Sequence, residues 1–408
     1  MKNNILFKIP SVKILSTIFC MIAVSLCAYG QQQPSLLTSD GSSFNAQSYF
    51  PKFSWETTPM YYHFGDIDRV LEPEEIQFIS DRTDFICMEK SHAYNLLGDH
   101  KVLGTKHEVE AFHEVKPEIK VLFYYNSYVA WPFPRFNKEF TPDGIAKNEE
   151  LTKFLARDPK TGKLLEKTRG PAFSYYFDAL NPEFREWWVA SAIEGVKISG
   201  ADGIFIDRMN VDENADYHVD DIAELAKAKG EMMAALKEQL GPDKILIGNN
   251  AARTKEVFPH CDAFMFEHYN ATVTNKENLL KEWGDMARIA EAGKISIYRF
   301  GAKGKGKNDI TTGATKTDGI EKRSHDQLEF HQACYLIGAQ PYSYFQWNWG
   351  WNLEDGNLVD YPSLQKPLGK PTGVFKRVKP DGWIFTREFE HASVWVDTEA
   401  RKAKITWH

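Results

Sequence analysis

Short apolar runs alternate with longer amphipathic stretches along most of the chain. The runs are "MYYHFGD" (60–66), "DFICMEK" (84–90), "IKVLFYYN" (119–126), "DGIFIDR" (202–208), "KILIGNN" (244–250), "DAFMFEH" (262–268), "KISIYRF" (294–300) and "AQPYSYFQW" (339–347). Between them lie "EPEEIQFISDR" (72–82), "KHEVEAFHEVKP" (106–117), "NPEFREWWVASAIEGVKISG" (181–200), "DDIAELAKAKGEMMAALKEQLG" (220–241) and segments near 276–292 and 325–338, all of helical texture. Apolar runs that continue rather than alternate are strands buried on both faces, as in a parallel sheet covered by helices. Eight of them, each expected to be followed by a helix, predict a (β/α)8 TIM barrel over 55–364, with functional residues on the C-terminal face. An open doubly wound sheet is the alternative, but no GxGxxG follows the first strand.

The pattern changes at both ends. "DGWIFTREFEHASVWVDTEARKAKITW" (381–407) alternates apolar and polar residues between turn signals, which predicts a small antiparallel β appendage over 365–408. Lys2, Lys8 and Lys13, an apolar run from Ile14 to Ala28 and the small residues Ala28 and Gly30 predict a cleaved signal peptide over 1–30. The mature protein is then secreted or periplasmic, with no integral membrane segment, because the run is shorter than the ~20 residues a span needs. Phe19 and Leu26 are bulky where a lipoprotein has a small residue before its cysteine, here Cys20 or Cys27. Residues 31–54, opening on "QQQPSLLTSDGSS", read as a linker.

Composition narrows the function. A net charge of -7 with no basic block beyond the N-terminus argues against nucleic acid. Cys87, Cys261 and Cys334 lie scattered in apolar runs and form neither a disulfide framework nor a zinc ligand set.

The strand exits are polar: Asp66, Glu89, Asn126, Asp207 with Arg208, Asn249 with Asn250, Glu267 with His268 and Tyr269, Arg299, and Gln346. Such a mouth suits a polar, multi-hydroxyl substrate. Glycoside hydrolysis needs two carboxylates flanking the scissile bond, and Asp207 on strand four and Glu267 on strand six supply them. A gap of roughly 5–9 Å between them spans both retention and inversion. Arg208 beside Asp207 is expected to favour its charged form, as a nucleophile requires. Phe264 and Phe266 are expected to raise the pKa of Glu267 towards that of a general acid. The bland alternative is a structural Asp207–Arg208 ion pair and a capping Glu267.

Aromatic residues add to the picture. Trp131 with Phe133 follows strand three, and Trp347, Trp349 and Trp351 follow strand eight. Indole faces bind the C–H faces of sugars, with Asn348 and Asn352 at hand for hydroxyls. Trp187 and Trp188 sit at helical spacing and read as packing. "GAKGKGKN" (301–308) lacks the GK[ST] of a P-loop and reads as a solvated loop. "NVDENADYHVDD" (210–221) lacks EF-hand spacing, and strand five ends in neutral asparagines, so neither a metal nor another cofactor is called for.

Strand-four "DGIFID", strand-six "FMFEHY" and the C-terminal "LGKPTG" and "REFEHASVWV" resemble the secreted glycoside hydrolase barrels grouped as hypothetical glycosyl hydrolase families. These are similar at a distance to endo-α-1,4-polygalactosaminidases and α-galactosidase-like barrels. The resemblance implies Asp207 as nucleophile and Glu267 as acid/base, acting with retention on α-linked sugars of a polysaccharide or oligosaccharide. Two other functions stay open: a non-catalytic carbohydrate-binding barrel, and a polysaccharide lyase using Tyr269 or His268 as base.

Overall fold

The computed structural model describes residues 44–97, 101–167, 173–213, 216, 218–267, 275–302 and 319–408. The signal-peptide reading and the first part of the linker lie outside the described residues, as do His268, Tyr269 and most of the loop at 301–308.

The eight runs form one parallel sheet: β1 (Tyr62–Phe64), β2 (Phe85–Met88), β3 (Lys120–Asn126), β4 (Gly203–Asp207), β5 (Ile245–Asn249), β6 (Ala263–Phe266), β7 (Ile295–Phe300) and β8 (Ser343–Trp347). Strand order follows chain order. Tyr61 N–H donates to Phe345 O at 2.9 Å and Phe345 N–H to Pro59 O at 2.8 Å, so the last strand joins the first and the barrel closes. Among the described residues, six longer helices cover it: α1 (Pro73–Ser80), α2 (Lys101–Val115), α3 (Pro182–Ser199), α4 (Ile222–Leu240), α5 (Lys276–Glu291) and α6 (Ile320–Gly338). Caps set their starts, as where Asn181 accepts from Glu183 and Phe184 N–H to open α3, and Asp221 from Ala223 and Glu224 N–H to open α4. The expectation of a helix after every strand fails after β5. There, turns and one 3-10 turn (Phe258–His260) make the connection, and Asn250 N–H continues the β5–β6 ladder to Met265 O.

Side-chain alternation builds two layers. Tyr61, Phe85, Cys87, Leu122, Tyr124, Phe205, Ile245, Ile247, Ala263, Met265, Ile295, Ile297 and Tyr344 fill the barrel interior. The intervening positions, among them Ile204, Ile206, Phe264, Phe345 and Trp347, pack outwards beneath the helices. Phe50, in the stretch read as linker, joins the interior cluster, and Phe44 and Phe53 stack on Tyr342 with ring centroids at 4.4 and 5.0 Å.

The appendage is a four-stranded antiparallel sheet of β9 (Lys376–Arg377), β10 (Ile384–Glu388), β11 (Ala392–Asp397) and β12 (Lys402–Trp407). It packs on α6 with Phe385, Val394, Val396 and Ile405 buried. The buried Arg387 guanidinium donates to the carbonyls of Leu336, Ile337 and Ala339, capping the C-terminus of α6. Replacing Arg387 with alanine leaves these carbonyls without that donor and is expected to cost about 3 kcal/mol of stability, read from urea unfolding. A loss below about 0.5 kcal/mol, the usual range of a surface substitution, would show that the clamp is dispensable.

Candidate active site

The alternation that fills the barrel also composes its mouth. One step beyond the interior apolar layer, each strand presents one inward residue: His63, Glu89, Asn126, Asp207, Asn249, Glu267, Arg299 and Gln346. Seven of the eight were legible as strand-exit residues. The β1 member is His63, where the sequence suggested Asp66. Asp66 lies beyond Gly65 and ties down the loop after β8, accepting from Leu353 N–H at 3.2 Å. Gly65 is required there, since a Cβ at that position would stand 2.9 Å from Glu89 Cβ.

Asp207 and Glu267 meet at one amide. Asn249 Nδ2 donates to Asp207 Oδ1 and to Glu267 Oε2, each at 2.8 Å. Carboxylates only accept, so the NH2 end of the amide must face both. Two oxygens each 2.8 Å from one nitrogen stand at most twice that distance, 5.6 Å, apart. Asp207 Oδ2 accepts from Tyr124 OH at 2.6 Å and Asn126 Nδ2 at 2.8 Å. Asn126 is fixed in turn, because its Oδ1 accepts from Tyr128 and Val129 N–H. Asn250 Oδ1 accepts from Glu267 N–H at 3.0 Å, so it orients the backbone of β6. Arg208 and Asn250 both have left-handed backbones, with φ of 65° and 55°, immediately after site residues.

The electrostatics differ from expectation. Burial first, and then the charge of Glu267, push the Asp207 carboxyl above its ordinary value, opposed by hydrogen bonds from Tyr124 and Asn249 and by Lys90. Arg208 is not among the groups that set it. It pairs with the buried Asp216 at 3.3 Å, its guanidinium 4.7 Å from the Tyr128 ring centre. The left-handed turn at Arg208 carries it away from the mouth. Phe264 and Phe266 do not surround Glu267 either, because they alternate outwards and stack on Phe258 and Tyr298.

Glu89 anchors the opposite wall. It pairs with Lys90 and, at 3.2 Å, with His63 Nε2. Burial opposes its charge, but Lys90 and His63 outweigh burial and hold its carboxyl far below the usual range. Lys90 keeps its charge despite burial because of Glu89, Asp207 and Glu267.

The tryptophans sort by the same alternation. Trp347 points outward and donates Nε1–H to Ser324 Oγ at 2.8 Å, and Trp349 is buried in the outer core, so neither forms a sugar platform. Trp131 is buried, stacked on Phe133, with Lys90 and Lys167 ammonium groups at 5.7 and 5.0 Å from its ring centre. Trp351 is the half-buried one against the mouth, its ring 5.0 Å from the His63 ring. Tyr124, His63 and Lys90 escaped the sequence reading. Period-2 alternation would have found the first two: Tyr124 lies one step back from Asn126, and His63 one step on from the inward Tyr61.

Two carboxylates sharing a donor at the C-terminal mouth of an eight-stranded barrel are equipped for transfer at a glycosidic carbon. Over residues 113–393 the chain matches the model of Hypothetical glycosyl hydrolase family 15, and it belongs to that family. It is a glycosidase. No curated protein matches it. Solved structures with a similar fold include the α-amylase from Geobacillus thermoleovorans, with a TM-score of 0.50 and 12% identity over 84% of this chain and 87% of that one. They also include the glycoside hydrolase domain of PelA from Pseudomonas aeruginosa, with a TM-score of 0.43 and 14% identity over 78% and 97%. A third is Aspergillus fumigatus Ega3 in complex with galactosamine, with a TM-score of 0.40 and 12% identity over 78% and 98%.

Proposed function

We propose that the protein is a retaining glycosidase in which Asp207 is the nucleophile and Glu267 the acid/base. The observation that carries this reading is the Asn249 amide shared by the two carboxylates. It limits their facing oxygens to 5.6 Å, a close approach that favours the ~5–5.5 Å carboxyl spacing of retaining enzymes over the ~6.5–9.5 Å at which inverting enzymes seat a water. Asp207 is held by three donors, which suits a group that must attack along one line. Glu267 accepts from the Asn249 side chain and is only half-buried, which suits a group that must exchange its proton each cycle.

In the first step Glu267 gives its proton to the glycosidic oxygen while Asp207 bonds to the anomeric carbon, and the carbon–oxygen bond to the leaving group breaks. In the second, Glu267 takes a proton from water, the water oxygen bonds to the anomeric carbon, and Asp207 is released as a carboxylate. Action on α-linked sugars of a polysaccharide or oligosaccharide is supported by the motif resemblance at strands four and six. Export to the periplasm or the medium is supported by the N-terminal charge and hydropathy pattern.

Product stereochemistry tests the mechanism. Proton NMR of the first sugar released from 4-nitrophenyl α-glycosides or α-linked oligosaccharides is expected to show the substrate's own anomer before mutarotation. Initial appearance of the opposite anomer would mean inversion and sink the nucleophile role of Asp207. Saturable glycan binding with no turnover would favour the non-catalytic barrel.

A further inference from the structure

Arg299 has no part in the chemistry just described, yet it lies in the same ring of residues. Its side chain is only 3% exposed, and its Nε is buried without a hydrogen-bond partner. Among the described residues no carboxylate stands within ion-pair distance of it, and its close neighbour is the Trp351 ring, centred 4.2 Å from the guanidinium carbon. Burial lowers its pKa to about 10, with Glu267, Asp355 and Glu89 favouring the charge, so the guanidinium stays ionised at neutral pH.

A charge-balancing arginine would bond to the carboxylate it neutralises. Here every nearby carboxylate takes other donors. Asp207 and Glu267 share Asn249, Glu89 takes Lys90 and His63, and Asp66 and Asp355 accept the N–H groups of Leu353 and Asn352. The neighbours of Arg299 along the ring are also incompletely bonded. Gln346, its register partner on β8, donates to His63 O at 3.2 Å, while its own Oε1 is buried and unpartnered. His63 Nδ1 on β1 is likewise unpartnered. Buried polar atoms are costly to leave unbonded, and a buried charge most of all. A donor edge at Arg299 beside an acceptor at Gln346 is a recognition surface awaiting a ligand.

We infer that Arg299 and Gln346 form a sugar-binding subsite for a glycosyl unit that presents two adjacent acceptor oxygens to the guanidinium edge, either an exocyclic carboxylate or a vicinal hydroxyl pair. That the ligand is a sugar rests on the glycosidase reading. The planar fork of arginine matches paired oxygens in a way that lysine cannot, and the Trp351 ring, centred 4.2 Å from the guanidinium carbon, backs that fork. Gln346 Oε1 is placed to accept a hydroxyl of the same ring.

The test compares the full chain with Arg299→Lys and Arg299→Gln on 4-nitrophenyl glycosides, both anomers, neutral hexosides and hexuronides. For the best substrate, Arg299→Gln is expected to raise KM by about 10- to 100-fold with kcat changed much less, and Arg299→Lys to recover only part of the loss. A wild-type preference for the uronide that vanishes in Arg299→Gln identifies the carboxylate, and an Arg299-dependent KM on the neutral hexoside identifies the diol. Both variants should melt within a few degrees of wild type. An Arg299→Gln enzyme whose KM stays within threefold overturns the inference, while loss of turnover in Asp207→Asn keeps the glycosidase reading intact. If wild type cleaves none of these substrates, calorimetric titration with glucose, galactose, glucuronate and galacturonate decides the matter. Binding that Arg299→Gln loses supports the subsite, and no binding, or equal binding by the variant, overturns it.

Discussion

Replacing Asp207 with asparagine is expected to lower kcat by on the order of 10⁴-fold or more, the scale on which loss of a covalent nucleophile is felt. The amide preserves size and can still accept from Tyr124 and Asn126, so the melting temperature should hold and the loss should be chemical. Glu267→Gln is expected to cost about 10²–10⁴-fold, and its signature differs. With a 2,4-dinitrophenyl leaving group, which departs without protonation, the first step of Glu267→Gln should recover while Asp207→Asn stays inactive. Deglycosylation, which still needs a base, then becomes limiting and gives a burst of dinitrophenolate. Azide added to Glu267→Ala should replace water in that second step and yield a glycosyl azide of the same anomeric configuration as the substrate. Roles assigned the other way round would move the burst and the azide product to the Asp207 variants.

The barrel was legible because continuous apolar runs allow few alternatives, and its mouth was legible because period-2 alternation is rigid. Phe205 inward places Asp207 inward, Met265 places Glu267, Ile247 places Asn249, and Ile297 places Arg299. Where expectation and structure differ at the strand ends, the same alternation accounts for the difference. Its aromatic face suggests Trp347 for the mouth, but Tyr344 and Gln346 inward already require it to point out. Its charge suggests Asp66, but Tyr61 inward makes His63 the next member of the ring. What the sequence did not carry was direction beyond the strands. Arg208 is adjacent to Asp207 in the chain, but its left-handed backbone commits it to Asp216 eight residues on. Tyr124, by contrast, is 83 residues from Asp207 and makes its shortest hydrogen bond. Donors from two strands, β3 and β5, converge on one carboxylate of β4, and only the barrel brings them together.

That convergence makes Asn249 the residue on which the dyad depends. Two carboxylates held this close repel, and in a buried site the repulsion keeps one of them protonated. The shared amide counters it by giving one N–H to each, favouring the ionised form of both. Asn249→Ala removes both bonds at once. Losing a donor to a charged form raises the pKa of that group, so both apparent ionisations of the dyad should rise and the bell-shaped kcat/KM profile should move bodily to higher pH. On the acid side Asp207 then stays protonated to a higher pH, and since burial and Glu267 already push its carboxyl up, activity there should fall most. At the new optimum kcat should still be lower by about 10²-fold, because the facing oxygens are no longer tied within reach of one anomeric carbon. A profile unmoved in pH but reduced in height would assign Asn249 to positioning alone. An unchanged profile would mean that the amide does not hold the pair, and with it would go the geometric argument for retention.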